Sequence, residues 1–288
     1  MNKIMMMAVA AAFMCGCSND GELDGSGESE GVKDVTFEVN GDFAVRFSDM
    51  ETRTALTDES NTMTDLWVFD YKDGQCVQSI HQTSGDAQWG TPTLSLRFGT
   101  HQIYFVASRG AEPVVDADNH VISFGTVRDT FWKMYTIDVT SSTNASRTVA
   151  MDRVVTRLRL TATDEVPEGL ATVTITPAKW YNGVDYLTGE PAAEAVSTGR
   201  VVSVPSSYAG TSGDLIINVF GFSGDDFSTN IDVLAKTTDG TTVGQASVAN
   251  APFKRNRSTE MSGTLFGKVS VNTITIDDEW LDDYEMTF

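Results

Sequence analysis

From Val35 to Ile276 the apolar residues of this chain recur mainly at every second position, and convincing helical periods are scarce. Side chains in a strand point alternately to opposite faces, so this pattern predicts a fold built from half-buried strands. Val35, Phe37 and Val39 alternate, while Leu66/Val68 and Trp67/Phe69/Tyr71 load both faces of one strand. Leu94/Leu96/Phe98 lead to Ile103/Phe105/Ala107 across Gly99-Thr100-His101, a spacing that predicts a hairpin. Further strands are expected over 135–139, 154–160, 171–175, 215–220, 231–235, 242–248, 264–271 and 273–276. Asp73-Gly74 and Asp239-Gly240 have the residue types of tight turns.

About twelve strands are more than one simple sandwich needs. The most economical division of this all-β chain is an N-terminal β-sandwich over residues 33–149 and a C-terminal one over 150–288. The junction is placed at Ser146–Val149, after the polar run 140–146, and a single elongated sandwich is the alternative.

The first residues read differently. One lysine and an apolar run from Ile4 to Met14 form a secretion signal over residues 1–16, too short to span a bilayer. Met14-Cys15-Gly16-Cys17 resembles the lipobox of bacterial lipoproteins, in which a small residue precedes the acylated cysteine; Gly16 makes Cys17 that residue. An ordinary cleaved signal with an incidental Cys17 is the alternative. Acyl chains contribute about 0.8 kcal/mol per buried methylene, so a multiply acylated Cys17 would anchor the chain to a membrane. Residues 17–32 form an acidic tether: Ser18 to Gly31 hold four glycines, five acids and one large apolar residue, too little to offset the entropy of ordering.

Forty acidic against twenty basic residues give a net charge of −20, which repels phosphates and argues against nucleic acid as a partner. His81, His101 and His120 have no zinc spacing, and His101 reads as a turn or edge residue. There is no phosphate loop or CxxC pair, and no serine is singled out for a triad; neither an enzyme nor a cofactor is expected. The acids at 116–119, 225–226, 277–279 and 282–283 could hold calcium, but they match no calcium loop and read better as solvated. Trp180, Tyr181 and Tyr186, in a loop-like stretch with Asn182 and Gly183, are candidate surface contacts for protein or glycan, with core or inter-domain packing as the other reading.

The residues with most individuality are Leu66–Asp70 with Gly74, Tyr104–Ser108, and Pro252–Thr259 followed by Ser262–Phe266. Together with the lipobox they resemble the fimbrillin superfamily of Bacteroidetes, the subunits of type V pili and their anchor and tip relatives. The resemblance runs from Cys17 to about Phe266. It implies two transthyretin-like β-sandwich domains, export to the outer face of the outer membrane, and a structural or adhesive role in fimbriae. It also implies an assembly mechanism in which an Arg- or Lys-directed protease removes the first strand and another subunit fills the groove. Carried onto this chain, the replaceable strand is Val35, Phe37 and Val39, with Phe43–Phe47 as its continuation, and the cleavage candidates are Arg46 and Arg53. The partners implied are other fimbrial subunits, the outer membrane through the lipid, and a host or bacterial surface protein or glycan. Six acids in the last twelve residues suit a dry groove poorly, which favours an accessory tip or anchor subunit over the repeating stalk. The rival class is a monomeric surface lipoprotein that binds glycan through its exposed aromatics.

Overall fold

The computed structural model describes residues 31–39, 63–192, 199–224, 227–267 and 270–277. Among them the chain forms nineteen strands, one three-residue 3-10 turn at Ser206–Tyr208 and no α-helix. The first five are β1 (Val32–Val39), β2 (Asp65–Lys72), β3 (Gln75–Thr83), β4 (Thr93–Arg97) and β5 (Gly99–Ser108). There follow β6 (Ala111–Asp116), β7 (Val121–Thr126), β8 (Thr130–Val139), β9 (Ser146–Val149) and β10 (Asp152–Arg153). The next are β11 (Val155–Ala162), β12 (Leu170–Pro177), β13 (Gly183–Asp185), β14 (Arg200–Ser203) and β15 (Leu215–Phe222). The last are β16 (Phe227–Thr237), β17 (Thr242–Phe253), β18 (Ser258–Thr264) and β19 (Ser270–Asp277). The protein is all-β.

Two sheets, in the orders β4-β1-β9 and β10-β8-β5-β2-β3, face each other in the N-terminal half. Their core holds Val35, Phe37 and Val39 with Leu66, Val68, Leu94, Leu96, Ile103, Phe105 and Val149. In the C-terminal half, sheets β15-β11-β18-β19 and β14-β12-β16-β17 enclose Leu158, Val173, Ile175, Ile217, Val233 and Phe253. A third sheet, β13-β7-β6, and a third apolar cluster join residues of both halves: Trp67, Phe69 and Tyr71 of β2 meet Val155, Tyr186, Phe220 and Phe222. This is why β2 is apolar on both faces, with Leu66 and Val68 toward one cluster and its aromatics toward the other.

Hairpin turns follow their residue types. Asp73 and Gly74 both have positive φ, 53° and 78°, the backbone a two-residue turn between twisted strands requires, and β2 pairs antiparallel with β3 across them. Asp239-Gly240 closes β16 onto β17, with Gly240 at φ 87° and the Asp239 carboxylate accepting the Thr241 amide at 3.0 Å.

Three expectations are corrected. Leu94–Phe98 and Ile103–Ala107 do not form a hairpin: β4 pairs with β1, whereas β5 pairs with β2 and β8. Only Phe98 separates these strands, and the chain changes sheets at Gly99, whose φ of +114° brings its backbone against the Lys72 amine, 2.5 Å from where a Cβ would stand. His101 is not a turn or edge residue. It lies inside β5, 1% exposed, with Nδ1 2.7 Å from Asp70 Oδ1 and Nε2 2.8 Å from the Arg97 carbonyl oxygen. A carbonyl only accepts, so Nε2 carries a proton. Burial raises the Asp70 carboxyl above the usual range, against the opposing pull of His101 and then Lys72. The stretch 264–271 is not one strand: β18 ends at Thr264, and the Leu265, Phe266 and Gly267 amides turn inward onto the Asp164 carboxylate at 2.9, 2.7 and 3.0 Å.

The polar run 140–146 leads into β9, which pairs parallel with β1. Val154 still donates to the Thr130 carbonyl beside β8, and Val155 already faces Phe222 in β15, so the chain passes from one set of sheets to the other there. Asp129 and Arg153 lock this passage: the guanidinium binds both carboxylate oxygens at 2.6 and 2.9 Å, lies 4.9 Å over the Phe131 ring, and reaches Asn256 Oδ1 at 3.1 Å.

Candidate strand-exchange site

The alternation of Val35, Phe37 and Val39 places all three on the inner face of β1, at 0%, 0% and 3% exposure. Phe37 sits 5.5 Å from the Phe105 ring and 5.8 Å, edge to face, from Tyr135. The intervening Asp34, Thr36 and Glu38 point outward: Asp34 accepts from Ser95 Oγ at 2.7 Å, Thr36 meets Thr93 at 2.8 Å, and Glu38 accepts from Ser146 Oγ at 3.2 Å.

β1 is the middle strand of its sheet. Val32–Thr36 pair antiparallel with Arg97–Thr93 of β4, and Thr36–Val39 pair parallel with Ser146–Val149 of β9. The ladder runs on beyond the strands, with the Phe37 and Val39 amides bonded to Pro92 and Gly90 carbonyls at 2.9 and 2.8 Å and the Gly31 carbonyl to the Phe98 amide at 2.8 Å. Taking β1 out would therefore leave two facing strand edges, β4 and β9, over a slot lacking three core side chains. Nothing else in the described chain has this combination of a terminal strand, two paired edges and a continuous apolar face.

The walls of that slot were partly visible in sequence. Leu94 and Leu96 show their alternation, but β9 is four residues long with one buried apolar side chain, Val149, and carries no strand signal of its own. Cys17, Arg46, Arg53 and Phe43–Phe47 lie outside the described residues. Arg46 and Arg53 belong to the stretch 40–62 that connects β1 to the rest of the fold.

The aromatic surface patch is corrected. Trp180 and Tyr186 are each 1% exposed, and Tyr181 is half-buried with its ring 5.4 Å from the Lys179 amine. Trp180 packs on Phe253 at 5.1 Å in the C-terminal core, while Tyr186 stacks on Phe69 in the cluster between the halves. Burial, and next the hydrogen bond to Tyr71 at 3.3 Å, push the Tyr186 phenol up. These rings are packing groups, because the loop that carries them is held between the halves rather than facing water. The platform on which the glycan reading relied is absent.

Asp116 accepts from both the backbone and the side chain of Asn119, at 3.1 and 2.8 Å, and the side-chain bond chiefly holds its carboxyl below the usual range. This is the geometry of a turn. Among the described residues no three His, Cys, Asp or Glu side chains gather as a metal site would need, and no helix is long and apolar enough to cross a membrane.

The structure thus defines an all-β chain whose first described strand is seated between two others, β4 and β9. By its sequence, residues 114–287 match the model of a family of unknown function (DUF6562), and the chain belongs to that family. No curated protein matches it. Solved structures similar to it include a candidate adhesin from Bacteroides ovatus, at 10% identity and a TM-score of 0.48, covering 80% of this chain and 88% of that one. The tip fimbrial protein Mfa3 from Porphyromonas gingivalis, with a C-terminal truncation, is similar at 13% identity and a TM-score of 0.45, covering 85% and 99%. A fimbrial assembly protein from Parabacteroides distasonis is similar at 13% identity and a TM-score of 0.46, covering 86% and 99%.

Proposed function

We propose that this protein is a structural or adhesive subunit of surface fimbriae, exported as a lipoprotein acylated at Cys17 and assembled by replacement of β1 with a strand from another subunit. The observation that carries the reading is the seat of β1: a terminal strand, central in its sheet, whose inner face supplies one complete row of the N-terminal core. Its partners are then other fimbrial subunits, and its place is the outer surface of the outer membrane. Each buried side chain on β1 contributes roughly 1.5–3 kcal/mol, so the three together are comparable to the whole stability of an ordinary domain. An empty slot is therefore not a resting state, and removal of β1 must be coupled to its replacement.

Cleavage after Arg46 or Arg53 would cut the connection that follows β1 and leave the strand held by non-covalent contacts alone. An anchor subunit would keep this connection and its lipid. The acidic carboxyl end supports an accessory tip or anchor role over that of a repeating stalk. Native filaments, sheared from the cell and analysed by mass spectrometry and terminal sequencing, test the reading. Recovery of this chain in filaments, either beginning just after one of the two arginines or intact at an acylated Cys17 at the filament base, is the expected result. Its absence from filaments, with all of it recovered as a monomeric membrane lipoprotein, contradicts it.

A further inference from the structure

The peptide unit between Arg97 and Phe98 is bonded on both sides. Its carbonyl accepts from His101 Nε2 at 2.8 Å, and its amide donates at 2.8 Å to the carbonyl of Gly31, just before β1. The unit is trans, so the two groups point in opposite directions on one rigid plane, and turning it away from one partner turns it away from the other. The next carbonyl, that of Phe98, accepts from the Lys72 amine at 3.1 Å. One end of the slot for β1 is therefore set by side chains of the facing sheet, on β2 and β5.

Protons decide whether that setting holds. His101 sits between the Arg97 carbonyl, which only accepts, and the Asp70 carboxyl, 2.7 Å from Nδ1. Both contacts are hydrogen bonds only when two protons lie among Asp70, Nδ1 and Nε2, one for each contact. With one proton fewer, the charge on the carboxylate keeps the remaining proton on Nδ1, and Nε2 turns a bare lone pair on the Arg97 carbonyl. Both side chains are 1% exposed, so bulk water does not replace the lost bond. The charged groups around the pair leave this logic intact. Lys72, on the same strand as Asp70, favours the carboxylate and holds Phe98, while Asp73 lies beyond it in the exposed turn. Opposite Asp70 on β3 stands Gln78, and opposite His101 on β8 stands Ile137. The Arg97 side chain and Asp138 are exposed, and Lys33 of β1 has its amine on the Ser141 carbonyl at 3.1 Å.

We propose that Asp70 and His101 form a proton-dependent latch on the β1 slot: with two protons the pair holds the Arg97–Phe98 peptide and the start of β1 in place, and loss of one as pH rises releases them. The use of the latch in assembly rests on the strand-replacement reading, under which higher pH loosens the end of β1 at which an incoming strand begins to displace it.

Hydrogen exchange of the full-length chain, followed residue by residue between about pH 6 and about pH 9 and corrected for the chemical exchange rate at each pH, tests the latch. Protection of the amides of residues 32–35 and 98 should fall roughly three- to tenfold across this range, the effect of one lost hydrogen bond. Residues 231–235, in the C-terminal core, should keep theirs. Asp70→Asn, whose side-chain amide donates to Nδ1 without a titratable proton, should keep protection at both ends of the range. Unchanged protection in the parent overturns the latch whether or not the variant folds. An equal fall at residues 231–235, or in a folded Asp70→Asn, overturns it as well. Uptake of a labelled β1 peptide by the chain cut after β1 separates the two readings. Protection that falls with pH, with no peptide uptake at either pH, supports the latch and contradicts strand replacement; uptake at the same rate at both pH values supports replacement and contradicts control by the latch.

Discussion

The rings of Phe69 and Tyr186 lie face to face across the boundary between the two halves, 3.9 Å between centroids and 10° apart in plane. Phe69 belongs to β2 and Tyr186 follows β13, whose backbone pairs with β7, so the contact joins segments that fold into different sheets. The Trp132 indole donates to the Tyr186 carbonyl at 2.8 Å and fixes the same turn from a third strand. Replacing Tyr186 by Ala should cost about 3–5 kcal/mol, the range for removing a large buried ring. Tyr186→Phe, which loses only the bond to Tyr71, should cost about 1 kcal/mol. Urea denaturation of both variants gives the two values, and a loss below about 1 kcal/mol in Tyr186→Ala would show that the halves are not joined through this ring.

Gly221 in β15 illustrates a closer fit. A Cβ on it would stand 2.0 Å from Nε1 of Trp180, so the indole lies directly on the strand backbone. Gly221→Ala should force the indole away, at about 1–3 kcal/mol, and red-shift tryptophan emission as the ring meets water. An unchanged spectrum and stability would contradict this packing.

The buried Asp70–His101 pair predicts a pH dependence with a definite sign. The Asp70 carboxyl is raised in the folded state, so the folded protein holds this proton to higher pH than the unfolded chain does. The associated stability is complete below the ordinary carboxylate value of about 3.9 and is lost as pH rises through the raised folded value. Relative to Asp70→Asn, which cannot titrate, the parent should therefore lose stability as pH rises across that window. Denaturant titrations at several pH values read the difference, and a relative gain by the parent would reverse the sign.

How much of this was legible in the sequence depends on the range of the forces involved. Alternation is local, which is why the inner faces of β1, β2 and β5 could be read directly from Val35/Phe37/Val39, Leu66/Val68 and Ile103/Phe105/Ala107. Turn chemistry is local too, and Asp73-Gly74 and Asp239-Gly240 behave as their residue types require. The change of sheet at Phe98–Gly99 is not local, since it depends on β1 and β8 claiming the two flanking strands. The burial of Trp180 and Tyr186 is likewise set by partners far away in sequence, so a loop-like stretch with Asn and Gly resembled a surface. The burial of His101 is non-local for the same reason: its environment is made by Asp70 and the Arg97 carbonyl rather than by its neighbours along β5.

The proposed anchor at Cys17 has its own test. Cells fed a fatty-acid analogue should label the parent protein, and Cys17→Ala should lose the label and leave the membrane fraction. Cys15→Ala, two residues away, should keep it, because Gly16 provides the small residue before Cys17. Equal labelling of the Cys17→Ala variant would remove lipid attachment at this position.

The central claim is that β1 is a replaceable strand, and its most direct measurement is exchange. A single protease site introduced between residues 40 and 62 frees β1 from the chain that follows it, and a labelled peptide of residues 31–39 is then offered in excess. The account predicts that the cut protein stays folded with its own β1 in place and slowly takes up the labelled peptide in one-to-one ratio. A Phe37→Ala peptide should compete poorly, by the several kcal/mol that a lost core phenylalanine represents. A cut protein that stays folded without taking up the peptide, or that binds the Phe37→Ala peptide equally well, would contradict the account.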